Sequence, residues 1–245
     1  MSETTPPASG PTPGFFSHLA GLYSSPTEEF KRILPRPRFW VPMLLGMALN
    51  LSFTGIWLSK VDALQFMKNT MEESGAADRI PADRMDEILE TQAKFMKVGG
   101  LAGGLLGVPL VVLLCGAFFL FVYRFFYGSE VTFGQSLSLV AWSFLVPSLV
   151  SIPLLLLTYA LKGDWNLSPD LVLQANLSLL FDKAVTAKPL FALAKSLDLF
   201  NFWIMFLLAA AFGAAAKRSA GAAAMGVVVP WAVWVLGKVV FAAVF

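Results

Sequence analysis

The chain has 245 residues, 57% of them hydrophobic and 14% charged, with a formal net charge of +2. Soluble domains average about 45–50% apolar and about 25% charged residues, and a soluble core does not expose uninterrupted apolar stretches of about 20 residues, which recur along this chain. A charge this small gives no argument for nucleic acid, the single Cys115 excludes a disulfide framework, and one histidine, His18, removes most histidine-based metal and acid–base chemistry.

The N-terminus is a different material from the rest. MSETTPPASGPTPG is rich in Pro, Ser, Thr and Gly, so residues 1–21 are expected to form a disordered cytoplasmic tail. It lacks the basic-then-apolar order of a signal peptide, and no cleavage is expected. In YSSPTEEFKRIL, Ser25-Pro26 followed by Glu28 and Glu29 has the makings of a helix start. A short amphipathic helix should lay Phe30, Ile33 and Leu34 on the membrane surface and end at Pro35 and Pro37.

Five stretches then meet the length of about 20 apolar residues that a hydrocarbon core of about 30 Å demands. They fall at about 39–59, 98–123, 136–161, 198–216 and 221–243. Each must be helical, because lipid offers backbone groups no partner outside their own segment. The fold class is therefore all-α: a polytopic integral membrane protein with five transmembrane helices plus amphipathic loop helices, its membrane domain covering 22–245. Between the first two spans, Val61, Leu64, Met67 and Met71, then Met85, Ile88, Leu89 and Phe95, recur at helical spacing. They predict two amphipathic helices joined by a turn near 74–81. In 162–197, Ser168 and Pro169 predict the start of a surface-lying helix. The Lys/Arg cluster before the first span and Lys217-Arg218 in the short fourth connection favour a cytoplasmic N-terminus, with the C-terminus on the opposite side.

Candidate sites are few. Gly99, Gly103 and Gly107 are four residues apart, and with Gly213 and Gly221 they are the helix-packing candidates, read as close contacts within one chain in preference to a dimer seam. Pro109, Pro147, Pro153 and Pro230 fall inside spans and bend them. Asn50, near the middle of the first span, is a weak polar candidate, as is Gln135 at the edge of the third. Lys238 lies about 17 residues into the last span and can snorkel to the far interface near the carboxylate of Phe245. Asp198, at the start of SLDLFNFW, is placed to cap the fourth span, with Leu197 and Phe202 at staple spacing. No catalytic, cofactor or metal site is expected. Glu28-Glu29 with Arg32 has something of a glutamate–arginine protease motif, but the spacing is one short and the later histidines are missing.

Three stretches carry a family resemblance. YSSPTEEFKRILPRPRFWVP, GSEVTFGQSLSLVAWSFLVPSLV and SLDLFNFW followed by GAAAKRSAGAAAMGVVVPW resemble, in order, the span-leading segment, third span and last two spans of the bacterial branch of the Yip domain family. The resemblance covers about 22–245 and implies five spans and a cytoplasmic N-terminus, in a bacterial inner membrane. Eukaryotic members interact with Ypt/Rab GTPases, so GTPase binding is implied by family analogy alone. The expected role is a non-enzymatic membrane organiser or scaffold whose partners are the lipid bilayer and a protein, a second copy of the chain included. The alternative is a small transporter or permease-like subunit using the proline-kinked spans around Asn50.

Overall fold

A computed structural model of the protein describes residues 14–74, 80–182 and 185–244. Ten α-helices account for most of it: α1 Phe15–Ser24, α2 Pro26–Ile33, α3 Trp40–Lys60, α4 Ala63–Ser74, α5 Ala82–Tyr127, α6 Phe133–Lys162, α7 Pro169–Val172, α8 Lys188–Ser196, α9 Leu199–Ala215 and α10 Ala220–Val244. The only β pairing among the described residues is an isolated antiparallel bridge between Asn176 and Asp198.

Four of these helices, α3, α5, α6 and α10, are long and apolar enough to cross a bilayer. The fifth apolar helix, α9, has 17 residues, about 25 Å at 1.5 Å per residue, the short end of the spanning range. Its shortness is matched by its position. Packed against α2, α6 and α10, it buries every residue from Leu207 to Ala214. An all-round apolar, Ala-rich helix can be enclosed in this way because small side chains let neighbouring backbones close in. α6 is the hinge of the bundle. It contacts α9 on one side and the α3/α5 pair on the other, and its first half, Ser136 to Pro147, is buried but for Phe144.

The helix ends follow local chemistry. Gly128 and Gly163 take positive φ (61° and 71°) after α5 and α6, the left-handed turn that glycine adopts without a Cβ clash. Thr132 and Gln135 form a reciprocal capping box at the start of α6. Gln135 also donates from Nε2 to the carbonyl of Leu34 at 3.0 Å, tying the end of α2 to the bundle.

Several expectations need correction. Helix begins at Phe15, inside the 1–21 stretch expected to be disordered; residues 1–13 lie outside the described part. α2 does not lie on lipid: Phe30 is 0% exposed and Ile33 3%, both inside the main apolar cluster. Protein covers that face because α9 and α6 present it with an apolar wall at the same depth. The expected surface helix after Ser168 stops after one turn, at Val172. There Ser168 stands at the N-cap without a side-chain hydrogen bond, and the chain is held instead by Tyr159, whose hydroxyl donates to Leu167 O at 2.8 Å and whose ring stacks on Trp165 at 4.9 Å.

The second loop helix is not a separate piece. Residues 82–97 run unbroken into the second span, making α5 46 residues, about 69 Å, more than twice the hydrocarbon thickness. α4 folds back on this extension, with Met71, Leu89 and Ala93 buried. Leu64 and Phe95, which belong to the same helically spaced apolar sets, are 48% and 71% exposed. The expected turn between them falls largely at 75–79, outside the described residues.

Candidate functional site

The densest polar chemistry lies where α1 and α2 meet α6. A single residue, Ser25, joins the two helices, and its N–H donates back to Gly21 O at 2.8 Å. This folds α1 against α2 and brings His18 within 2.6 Å of Glu29, its Nδ1 facing Oε1. Arg32, one turn on, donates from Nη1 to Glu29 Oε2 at 3.2 Å. Glu29 is 2% exposed, whereas Arg32 keeps most of its surface open. A carboxylate taken out of water costs several kcal/mol unless it is paired, and the two partners satisfy both its oxygens. Gly21 makes the arrangement possible: a Cβ there would run into the Glu29 carboxyl.

The triad sits on an aromatic floor. Phe15 stacks on Trp142 (5.4 Å) and the His18 ring meets Trp142 edge-on at 5.9 Å. At the far end of α1, Tyr23 donates to Val146 O at 3.0 Å and packs edge-on against Trp203 of α9. Beside the triad opens a cavity of about 170 Å³ lined by His18, Arg32, Arg36, Arg38 and the apolar faces of Ile33 and Trp142. Sequence reasoning missed this site. The Glu29–Arg32 spacing was visible, but His18 lies eleven residues from Glu29, and only the α1–α2 fold-back makes them neighbours.

The structure brings three of the sequence candidates together elsewhere. Asn50, Gly103 and Gly107 line one cavity of about 300 Å³ enclosed by α3, α5 and α6, with Ser148 as a further polar group. The Asn50 side chain forms no hydrogen bond among the described residues. Gly99, Gly103 and Gly107 would each accept a Cβ with nothing within 4 Å. The glycines that face α3 closely are Gly100, against Leu58, and Gly104, against Thr54 Oγ1 at 3.2 Å and Leu51. The offset is one residue, or about 100° of helix rotation.

Gly213 and Gly221 also divide. Gly213 lies under the 216–219 turn, its Cβ position 3.2 Å from Arg218 O and Ser219 O, while Gly221 is open. Lys217 takes positive φ (53°) to close that turn. The tightest contact on α10 is at Gly226, 2.9 Å from the ring and hydroxyl of Tyr123, which donates to Ala223 O at 2.7 Å. Asp198 stands at the N-cap of α9 and accepts from the backbone N–H of Phe200 (2.9 Å) and Asn201 (3.0 Å). Lys238 lies within electrostatic reach of Lys195 on α8, at the end of α10 away from the 216–219 turn; Phe245 is outside the described residues.

Comparison with known proteins accords with this architecture. The Yip1 domain family model matches residues 20–242. The chain is 28% identical over 104 residues to the membrane protein YknW of Bacillus subtilis (strain 168), a stretch covering 40% of this chain and 41% of that protein. No solved structure gives a significant match. A family match over nearly the whole chain places it: the protein belongs to the Yip1 domain family.

Proposed function

We propose that this Yip1-family membrane protein is a non-enzymatic scaffold in a bacterial inner membrane, its N-terminus cytoplasmic and its C-terminus on the opposite side. One observation carries this reading. α5 leaves the bilayer without a break and continues as a stiff arm of 16 residues, about 24 Å, braced by α4. A lipid-anchored helix that projects this far holds a surface at fixed height and orientation, which a partner protein can use and a small solute cannot. Between α4 and the arm runs a groove lined by Asp62, Leu64, Glu90, Lys94 and Lys97. Its mixed charges around an exposed leucine suit a partner segment carrying apolar anchors and both signs of charge. The GTPase contact implied for eukaryotic relatives would fall on the other side, on α2 and the 216–219 turn.

The cavity around Asn50 carries the second reading, transport of a small solute, because it places a polar group within the first span between helices that carry Pro109, Pro147 and Pro153. The two are separated by one pair of experiments. Photo-crosslinkers at Glu90 and Lys94 should trap one stoichiometric protein product, and the reconstituted protein should show no solute flux. Substrate-dependent flux abolished by Asn50→Leu would sink the scaffold reading.

A further inference from the structure

The cavity beside the His18–Glu29–Arg32 triad has a composition the scaffold reading does not use. Four basic side chains converge on it: His18 from α1, Arg32 from α2, and Arg36 and Arg38 from the linker to α3. Among the described residues, Arg36 and Arg38 form no ion pair, and both are exposed. Arg32 spends one N–H on Glu29 and keeps its remaining donors free. The acids nearby are already engaged, Glu28 with Lys31 at 2.7 Å and Glu29 with His18 and Arg32. The cavity therefore presents uncompensated positive charge.

Its backbone is stiff as well as basic. Pro35 and Pro37 alternate with the two arginines, and each ring fixes its own φ while restricting the residue before it. Gln135 pins the Leu34 carbonyl at the head of this linker. Less side-chain carrier freedom is then lost on binding, which is how preorganised sites gain affinity.

The remaining walls are apolar. Phe15, Ile33, Val41 and the Trp142 ring line the same space, and Val41 is already in α3, whose first residue, Trp40, is 53% exposed at the depth where tryptophan favours the interface. A basic rim at headgroup level joined to an apolar wall running into the bilayer matches an amphiphile with an anionic head. A free inorganic anion would use the rim and leave the wall idle.

We propose that this cavity binds the phosphate headgroup of an anionic phospholipid, with Arg36 and Arg38 as the principal ligands, Arg32 completing the rim, and an acyl chain lying along Val41 and Trp142. The site is independent of the arm and of the partner it holds.

The test uses the full chain in nanodiscs of phosphatidylcholine doped with phosphatidylglycerol, with lipid retained after delipidating washes read by native mass spectrometry. Arg36→Gln/Arg38→Gln leaves the Glu29 pairs untouched; at roughly 1 kcal/mol for each basic residue near an anionic surface, it should lower phosphatidylglycerol retention about thirtyfold. Lys217→Gln/Arg218→Gln removes the same charge from another turn and should leave retention near wild type. Equal retention in the first variant, or equal loss in the second, overturns the site. Inorganic phosphate at millimolar concentration should neither displace the lipid nor raise the melting temperature of detergent-solubilised protein. If it does either, the site takes a soluble phosphate and the lipid assignment fails.

Discussion

Glu29 shows how one side chain can carry a local fold. It is buried and held by His18 and Arg32, and its carboxyl occupies space that a Cβ on Gly21 would take. Substituting Gly21→Ala forces the carboxyl off its partners or α1 off α2. Overpacking of this kind costs about 1–3 kcal/mol, so the variant should melt several degrees lower in detergent while inserting normally. An unchanged melting temperature would mean that the hairpin yields freely. Tyr123 and Gly226 repeat the principle, where a glycine receives the hydroxyl end of a ring and the hydroxyl donates to the Ala223 carbonyl. In both places the residue that matters has no side chain, and its neighbour does the chemistry.

Helix against helix, the register of small residues decides which faces meet. Gly104 lies against Thr54 on α3, while Gly103, one position earlier, faces the Asn50 cavity. Both alanines gain the same helix propensity and only the one at 104 meets Thr54, so Gly104→Ala should be less stable than Gly103→Ala by about 1 kcal/mol. Thermal unfolding of the two variants side by side checks the register. The start of α9 invites a different substitution. Asp198 accepts side-chain hydrogen bonds from two of the first free N–H groups of the helix, and beside it the N–H groups of Leu177 and Leu199 donate to the carbonyls of Leu197 and Ala175. Asp198→Ala should cost about 0.5–2 kcal/mol, read as a lower yield of folded protein in the membrane. A fully folded variant that has lost partner crosslinking would assign Asp198 a role in binding instead.

The molecule as a whole separates two faces with different contents. The α1–α2 hairpin, the 128–132 turn and the 216–219 turn gather at one end of the bundle, held by Gln135 to Leu34 and by Ser129 to Ala215. The arm and the described parts of the connection from α6 to α9 gather at the other, where Trp57 donates to Trp165 O at 3.1 Å and Asn166 accepts from Asp62 N–H at 2.8 Å. With a cytoplasmic N-terminus, on a Cys115→Ser background, an impermeant maleimide added to intact cells should label Glu90→Cys and spare Arg218→Cys until the membrane is opened. The reverse pattern would turn the protein over and move the scaffold surface to the cytoplasm.

What the residues determine alone is whatever depends on local chain chemistry. Runs of about 20 apolar residues must be helices in lipid, and the ordered motifs carry the family. Tertiary structure decided what depends on which surfaces meet. Phe30 and Ile33 have the pattern of a helix lying on lipid, and periodicity cannot distinguish an apolar face covered by acyl chains from one covered by α9. Helix rotation chose Gly100 and Gly104 over their neighbours, because a repeat of glycines marks a close contact without saying which side of the helix it faces. The buried triad was invisible for the same reason: eleven residues separate His18 from Glu29, and only a one-residue joint folded against α6 and α9 makes their distance 2.6 Å.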